Sequence, residues 1–333
     1  MRTVTLSAGV ILASLPFVAN AQETLSFSSE FVVELQNDYT YDSDDPAAEL
    51  NDTFLTIEGA FSLAYGNSSL NASTVIEPIV DPVDDRFIED HGLFFEELFF
   101  AHDFRGVEII LGKFNPEFGF AWDAAPGIYG VDFAEDYELT ERLGGAVNIP
   151  VLNGEHNLHF ALFQADRTIL SDSFGKERGQ TNILAGGPSN TNSPASFSTS
   201  LSGTFGNAEY NLGFQHQQRG DGDVNDQNGT VAGVIYDFGV VNVVAEVAFF
   251  HGFEGTSDDA LYTTLGASVP LGPVTFSGVY SMRDVERAPT DRLFTVSGEY
   301  GFTDNVSASL GYRFGDEGGV ESQTFGTLIV VEF

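Results

Sequence analysis

Thr324–Phe333 reads TFGTLIVVEF, and its residues sort cleanly when taken in twos. Phe325, Thr327, Ile329, Val331 and Phe333 share one face of an extended chain, while Thr324, Gly326, Leu328, Val330 and Glu332 share the other. One face is greasy, the other mixed. The chain carries 49 acidic and 13 basic side chains, and in water a segment this apolar and this rich in β-formers is an aggregation hazard. Set against lipid, the same face is stable.

The other end of the chain says where lipid would be met. Met1-Arg2-Thr3 is a short positive start, Val4 to Val18 is apolar and uncharged, and Ala19-Asn20-Ala21 is a small-x-small site before Gln22. This predicts a secretory signal peptide over residues 1–21, cleaved on export. A membrane anchor is the competing reading, but the stretch is short for a bilayer and Pro16 interrupts it. No later apolar run approaches the roughly 20 residues of a spanning helix, and a chain without cysteine has no disulfide framework. A soluble exported protein and a β-barrel of a bacterial outer membrane remain. The 36 Gly, 31 Phe and 11 Tyr, against 2 Met and 1 Trp, favour strands, turns and aromatic girdles.

Leu25, Phe27, Phe31, Val33 and Leu35 alternate with Ser26, Ser28, Glu30 and Glu34, and Leu55, Ile57, Phe61, Leu63 and Tyr65 form the next apolar series. The acidic NDYTYDSDDPAAELND lies between them, whereas only GNS precedes the third. The same alternation predicts strands at 69–79, 92–103, 106–114, 141–151, 157–166, 197–206, 209–219, 230–238, 240–250, 260–270, 273–283, 292–302, 305–315 and 323–333, sixteen in all. Short connections such as FRG, GNA, FG, LGP and TDN alternate with longer polar ones at 115–140, 167–196, 220–229 and 284–291. That is the pattern of an all-β, closed antiparallel up-and-down transmembrane β-barrel with tight periplasmic turns and long outer loops. No linker or repeat interrupts it, so 22–333 reads as one barrel domain with both ends on the periplasmic side.

The terminal strand with its Phe333, together with LGKFNPEFG at Leu111–Gly119, carries a family resemblance: residues 22–333 resemble the porin-type outer-membrane barrels of Gram-negative bacteria. The resemblance implies a water-filled diffusion channel for small hydrophilic solutes or ions, set among outer-membrane lipid and lipopolysaccharide. It further implies that Phe333 is the signal read by the barrel-assembly machinery and that the protein forms a homotrimer. It makes the third long connection, Asn115–Thr140, a candidate constriction loop, with an ordinary solvated outer loop as the alternative. That connection carries Glu117, Asp123, Asp132, Glu135, Asp136 and Glu138.

Strand phase says where the few bases point. With Val274, Phe276, Gly278, Tyr280 and Met282 outward, Arg283 faces inward; with Val306, Ala308, Leu310, Tyr312 and Phe314 outward, so does Arg313. Arg292 begins the strand between them, and Arg142 and Arg219 face the lumen at the tops of the sixth and ninth strands. A basic wall opposite an acidic loop would set a transverse field across the pore; the alternative is that these arginines pair with loop carboxylates and pin the rim. Glu30, Glu34, Glu58, Glu77 and Glu108 also point inward, and Lys113 and Lys176 are the only lysines, so the lumen should prefer cations and departs from phosphate-selective porins.

Other patterns are less specific. GDGDVNDQNG places Asp221, Asp223 and Asn225 at alternating positions, either as a hairpin turn or as a weak Ca²⁺ or Mg²⁺ site in an outer loop; no other cofactor is implied. Uptake of a specific ligand, such as a siderophore or other nutrient, by an unplugged barrel is the alternative function. The loop 167–196 would then be a recognition surface or lid, disorder being the simpler reading. No G-x-S-x-G or HExxH occurs and the histidines are scattered, which argues against an enzyme. A net charge of −36 argues against nucleic acid as partner and suits a salty medium, as for a marine or halophilic Gram-negative bacterium.

Overall fold

The structure, a computed structural model, describes residues 24–333; the expected signal peptide at 1–21 lies outside the described residues. Sixteen long strands run antiparallel in chain order. They are β1 (Ser26–Ser43), β2 (Asn51–Tyr65), β3 (Ser68–Pro78), β4 (His91–Phe104), β5 (Val107–Phe114), β6 (Arg142–Val151), β7 (His156–Ala165) and β8 (Ser196–Phe205). The series continues with β9 (Ala208–Gln217), β10 (Gln227–Asp237), β11 (Asn242–His251), β12 (Asp259–Leu271), β13 (Val274–Val285), β14 (Asp291–Thr303), β15 (Val306–Glu317) and β16 (Val320–Glu332). Each pairs with its sequence neighbours, and β1 pairs with β16 from Val32↔Glu332 to Ser43↔Ser322, so the sheet closes on itself. Two-residue strands at Arg86–Phe87 and Phe174–Gly175 tack outer loops onto β2 and β4.

Closure explains the polarity, because a closed barrel leaves no unpaired backbone edge for lipid to meet. Phe325, Ile329 and Phe333 are exposed on the outer face of β16, whereas Leu328 and Val330 are buried on the inner face. Turns between the strands at one end of the barrel are two to four residues long, as at Gly66-Asn67 and Gly206-Asn207. The outer connections include 79–90, 115–141 and 166–195.

Two expectations need correction. The acidic stretch after the first strand is mostly not loop: β1 runs on to Ser43, because Thr40, Asp42 and Ser43 find ladder partners in β16 at Thr324, Gln323 and Ser322. Side-chain polarity marks the end of the lipid belt and says little about where backbone pairing stops. The loop 166–195, for which disorder was the simpler reading, is packed. Phe174–Gly175 pairs with β4, the Ser189 amide donates to the Gln218 carbonyl at 2.7 Å, and Ser171, Ser189 and Asn190 are buried.

The principal apolar core lies inside the barrel. Phe114, Phe118, Phe133, Tyr137 and Leu139 pack against Phe163, Phe250, Tyr262 and Leu293 of the inner wall. A chain segment therefore fills part of the lumen.

Candidate constriction and lumen

That segment is the third outer connection, 115–141. Asn115 draws its neck together: the backbone amide donates to Glu97 Oε1 at 3.0 Å, Nδ2 donates to Glu96 Oε1 at 2.8 Å, and Oδ1 accepts the Glu141 amide at 2.8 Å. A register shift between Ser73 and Thr74 of β3, opposite β4, leaves Glu96 as an extra residue, and the resulting bulge lets two consecutive carboxylates reach one asparagine. Beyond the neck the chain turns at Gly119, whose φ of +73° suits glycine and whose added Cβ would sit 2.8 Å from Glu246 Oε1. This turn aims three donors at Glu246 of β11: the Phe120 amide at 2.9 Å, the Ala121 amide at 3.1 Å and the Tyr137 hydroxyl at 2.7 Å.

The loop continues round the inside of the wall through two single helical turns, α1 (Ala121–Ala124) and α2 (Asp132–Glu135). The Ile128 amide donates to Ser297 Oγ of β14 at 3.2 Å, and the Tyr129 hydroxyl donates to Asp38 of β1 at 2.6 Å. Tyr129 can lie flat on the wall because position 326 is glycine; a Cβ there would collide with its hydroxyl. Arg313 Nε donates to Asp132 at 2.8 Å, Arg283 Nη1 donates to Asp136 at 2.7 Å, and Ser200 Oγ donates to Glu117 at 2.7 Å. Phe118, Tyr137, Phe250, Phe253 and Tyr262 add an aromatic cluster with centroids 5.1–6.2 Å apart. The loop is thus fixed to the inner face of β8, β11–β15 and β1.

The inner face of β1–β4 is different. Glu34, Glu58, Glu77 and Glu96 point inward there, and none forms an ion pair among the described residues. Glu58 lies within electrostatic reach of Glu34, Glu77, Glu96 and Glu138 of the loop. On the loop side, burial, then Glu96, Glu135, Asp123 and Glu97, push Glu138 up to about 8. Burial, then Asp132, Glu77 and Asp136, push Glu135 up to about 7. Asp132 is raised to about 6 by burial, against the pull of Arg313. A gap of about 470 Å³ between α2 and the outer halves of β1 and β2 is lined by Asp38, Phe54, Tyr129, Glu135 and Arg313.

Of the two readings of the arginines, a basic wall opposite the loop and a pairing with loop carboxylates, Arg283 and Arg313 follow the second. Arg283 and Arg313 stand on the wall the loop covers, Arg283 also donating to Asp291 at 2.8 Å and Arg313 to Glu317 at 2.6 Å, so both charges are matched where they stand. Strand phase tells inward from outward but not which strands a loop will lie against. Arg292 shares the outward phase of Phe294 and Val296, is 55% exposed and faces Asp316 at the rim. Arg219 lies beyond the end of β9 in an exposed turn, donating to the Val224 carbonyl at 3.3 Å. Arg142 does point inward, but beside the loop 166–195, where it shares a cavity with Arg178 and not with Arg283 or Arg313.

Of the weak cation ligands, Asp223 accepts the Gly220 and Gly187 amides at 2.6 and 3.1 Å and so ties two outer loops together without converging with Asp221 and Asn225. Among the described residues no group of three or more His, Asp or Glu converges as a metal site. Phe333 is outward and exposed, its amide donating to the Phe31 carbonyl at 2.9 Å. Glu246, Asn115, Tyr129 and Tyr137 were not among the residues expected to build the site. Glu246 left a signal, since it is the lone carboxylate of VNVVAEVAFF and has the inward phase.

Residues 130–320 match the profile of the Gram-negative porin family. No curated protein sequence matches the chain. Among solved structures it resembles the outer membrane channel DcaP of Acinetobacter baumannii at a TM-score of 0.69 and 10% identity, covering 93% of this chain and 97% of that one. It also resembles OmpF of Salmonella typhi in complex with daunomycin, at 0.63 and 10%, covering 92% and 97%. The anion-selective porin of Comamonas acidovorans is similar at 0.60 and 14%, covering 93% and 100%. At these identities the likeness is one of fold.

Proposed function

The chain belongs to the Gram-negative porin family and is an outer-membrane channel, and we propose that it passes small hydrophilic solutes by diffusion with a preference for cations. The observation that carries the preference is the unequal pairing of charge in the lumen. Arg283 and Arg313 are matched by Asp136, Asp291, Asp132 and Glu317, while among the described residues Glu34, Glu58, Glu77 and Glu96 form no ion pair. Unmatched carboxylates in a narrow, low-dielectric passage raise the local concentration of cations and repel anions.

The fold alone gives no charge preference, since a neighbour of the same architecture is an anion-selective porin. The sign must come from the charged residues of the lumen. Planar-bilayer recording of the refolded protein in a KCl gradient tests the reading: the reversal potential should favour K⁺ over Cl⁻. A chloride-favouring potential would overturn it. The homotrimer implied by the resemblance is a proposal of the same standing, read by cross-linking of the protein in outer-membrane fragments.

A further inference from the structure

The loop 166–195 folds over the outer ends of β6 and β7 and encloses a second space, a cavity of about 610 Å³ walled by Thr140, Arg142, Arg178, Gln180, Thr181 and Asn190. Its frame is an ion-pair cluster. Lys113, 1% exposed, donates to Glu141 Oε2 at 2.7 Å and to the Leu170 carbonyl at 2.8 Å, and stands 3.2 Å from Asp166 Oδ2. Arg178 forks onto Glu141 at 2.9 and 2.5 Å, donates Nε to the Ser171 carbonyl at 2.9 Å and lies 3.9 Å over the ring of Phe94. Two carboxylates are thereby matched by two cations.

Arg142 is left over. Its Nε is buried and meets no acceptor, and among the described residues its guanidinium forms neither a hydrogen bond nor an ion pair; it lies 6.0 Å over the Phe163 ring and within electrostatic reach of Glu141, which Lys113 and Arg178 already match. Asn190 Oδ1, on the same cavity, is buried and unbonded as well. Buried polar groups are normally paired, and a guanidinium left without a partner is the more costly case. In a chain of net charge −36, the cavity's frame holds Lys113, Arg142 and Arg178 against Glu141 and Asp166, so cations exceed acids there by the single charge of Arg142.

We propose that this cavity binds a small organic carboxylate, gripped by the guanidinium of Arg142 and held by hydrogen bonds from its hydroxyl and amide walls. Arginine is suited to the role because its planar fork matches a carboxylate with two parallel hydrogen bonds. The volume falls within the range of small-molecule sites, about 300–1,000 Å³. The site captures at the outer rim; it is separate from the acid-lined gap and does not depend on conduction.

Isothermal titration of gluconate into the folded full-length protein in detergent at low salt reads the site directly, whether or not the protein conducts. Gluconate should bind and glucose, with similar hydroxyls and no charge, should not. Arg142→Gln should weaken gluconate binding by at least about tenfold. Thr181→Asp, which places a carboxylate in the cavity from an exposed loop position, should weaken it comparably while leaving Arg142 in place, so a folding defect in one variant does not decide the matter. Arg219→Gln removes the same charge from an exposed turn and should change affinity by less than about twofold. Absence of gluconate binding to the parent protein, equal binding of glucose, or equal affinity in Arg142→Gln would overturn the proposal.

Discussion

On the side of β11–β15 the inner wall offers Phe250, Tyr262, Leu293, Arg283 and Arg313, and a loop lies on top of them; on the side of β1–β3 it offers Glu34, Glu58 and Glu77, none of them in an ion pair among the described residues. The two halves have the same strand geometry and the same inward phase. They differ in whether their charges have partners. Arginines that look like a selectivity device in the sequence are spent as anchors, and glutamates that look like surplus charge are the ones left to act on a passing ion. Counting lumen charges by sign therefore misjudges a pore; what matters is which remain unmatched.

Removing the covering loop should have the largest effect on this contrast. Replacing residues 120–138 by a short glycine bridge should raise single-channel conductance by about twofold or more, since the segment occupies the lumen. Unchanged conductance would mean that the loop does not bound the passage.

Next in size is the open wall. Glu58→Gln combined with Glu138→Gln removes two charges within electrostatic reach of each other, one from the wall and one from the loop, and the K⁺/Cl⁻ permeability ratio from reversal potentials should fall by about threefold. A ratio that does not move would place the selective charges elsewhere.

Acidity sharpens the same point. With Glu138 raised to about 8 and Glu135 to about 7, these carboxyls hold their protons at higher pH than ordinary glutamates. Negative charge is then lost as pH falls from about 8 towards 6, so cation preference should rise between pH 6 and 9. Selectivity that is flat over that range and drops only near pH 4, the usual glutamate range, would contradict the crowding described here.

The smallest expected change is at the covered wall. Arg313→Gln leaves Asp132 without its partner and loosens the loop, so open-channel current noise should increase, while the permeability ratio should shift less than in the Glu58 and Glu138 variant. A larger shift in selectivity from Arg313→Gln than from the glutamates would reverse the assignment of the two halves.

Much of the barrel could be read in the sequence because strand phase is a local property. The alternation that separates Phe325 and Ile329 from Leu328 and Val330 is written in consecutive residues, and the inward phase of Arg283, Arg313 and Glu58 followed from the same rule. The assembly of the constriction was not local. That Asp132 would meet Arg313 and Asp136 would meet Arg283 depends on the path of the loop, and that path is set by Gly119, by Glu246 with its three donors and by the Asn115 neck. Arg292 was legible too: it keeps the phase of Phe294 and Val296, and alternation alone marks it as outward where Arg313 is inward. The bulge that turns Glu96 and Glu97 to the same asparagine is invisible to a period of two.

The seam between β1 and β16 has a consequence for how the molecule comes to exist. Thr40 and Thr324 share a side-chain hydrogen bond at 2.9 Å although they are 284 residues apart in the chain. The ladder they belong to cannot start until everything between them has been synthesised and exported. The entropic penalty of so long a closure grows only logarithmically, but contacts of such sequence separation form slowly, and both seam edges stay open while the chain waits. The vulnerable species is therefore a nearly complete sheet with two unpaired edges. Any factor that covers one of them would change the yield of barrels by altering the competition between closing and aggregating, without adding anything to the stability of the closed form.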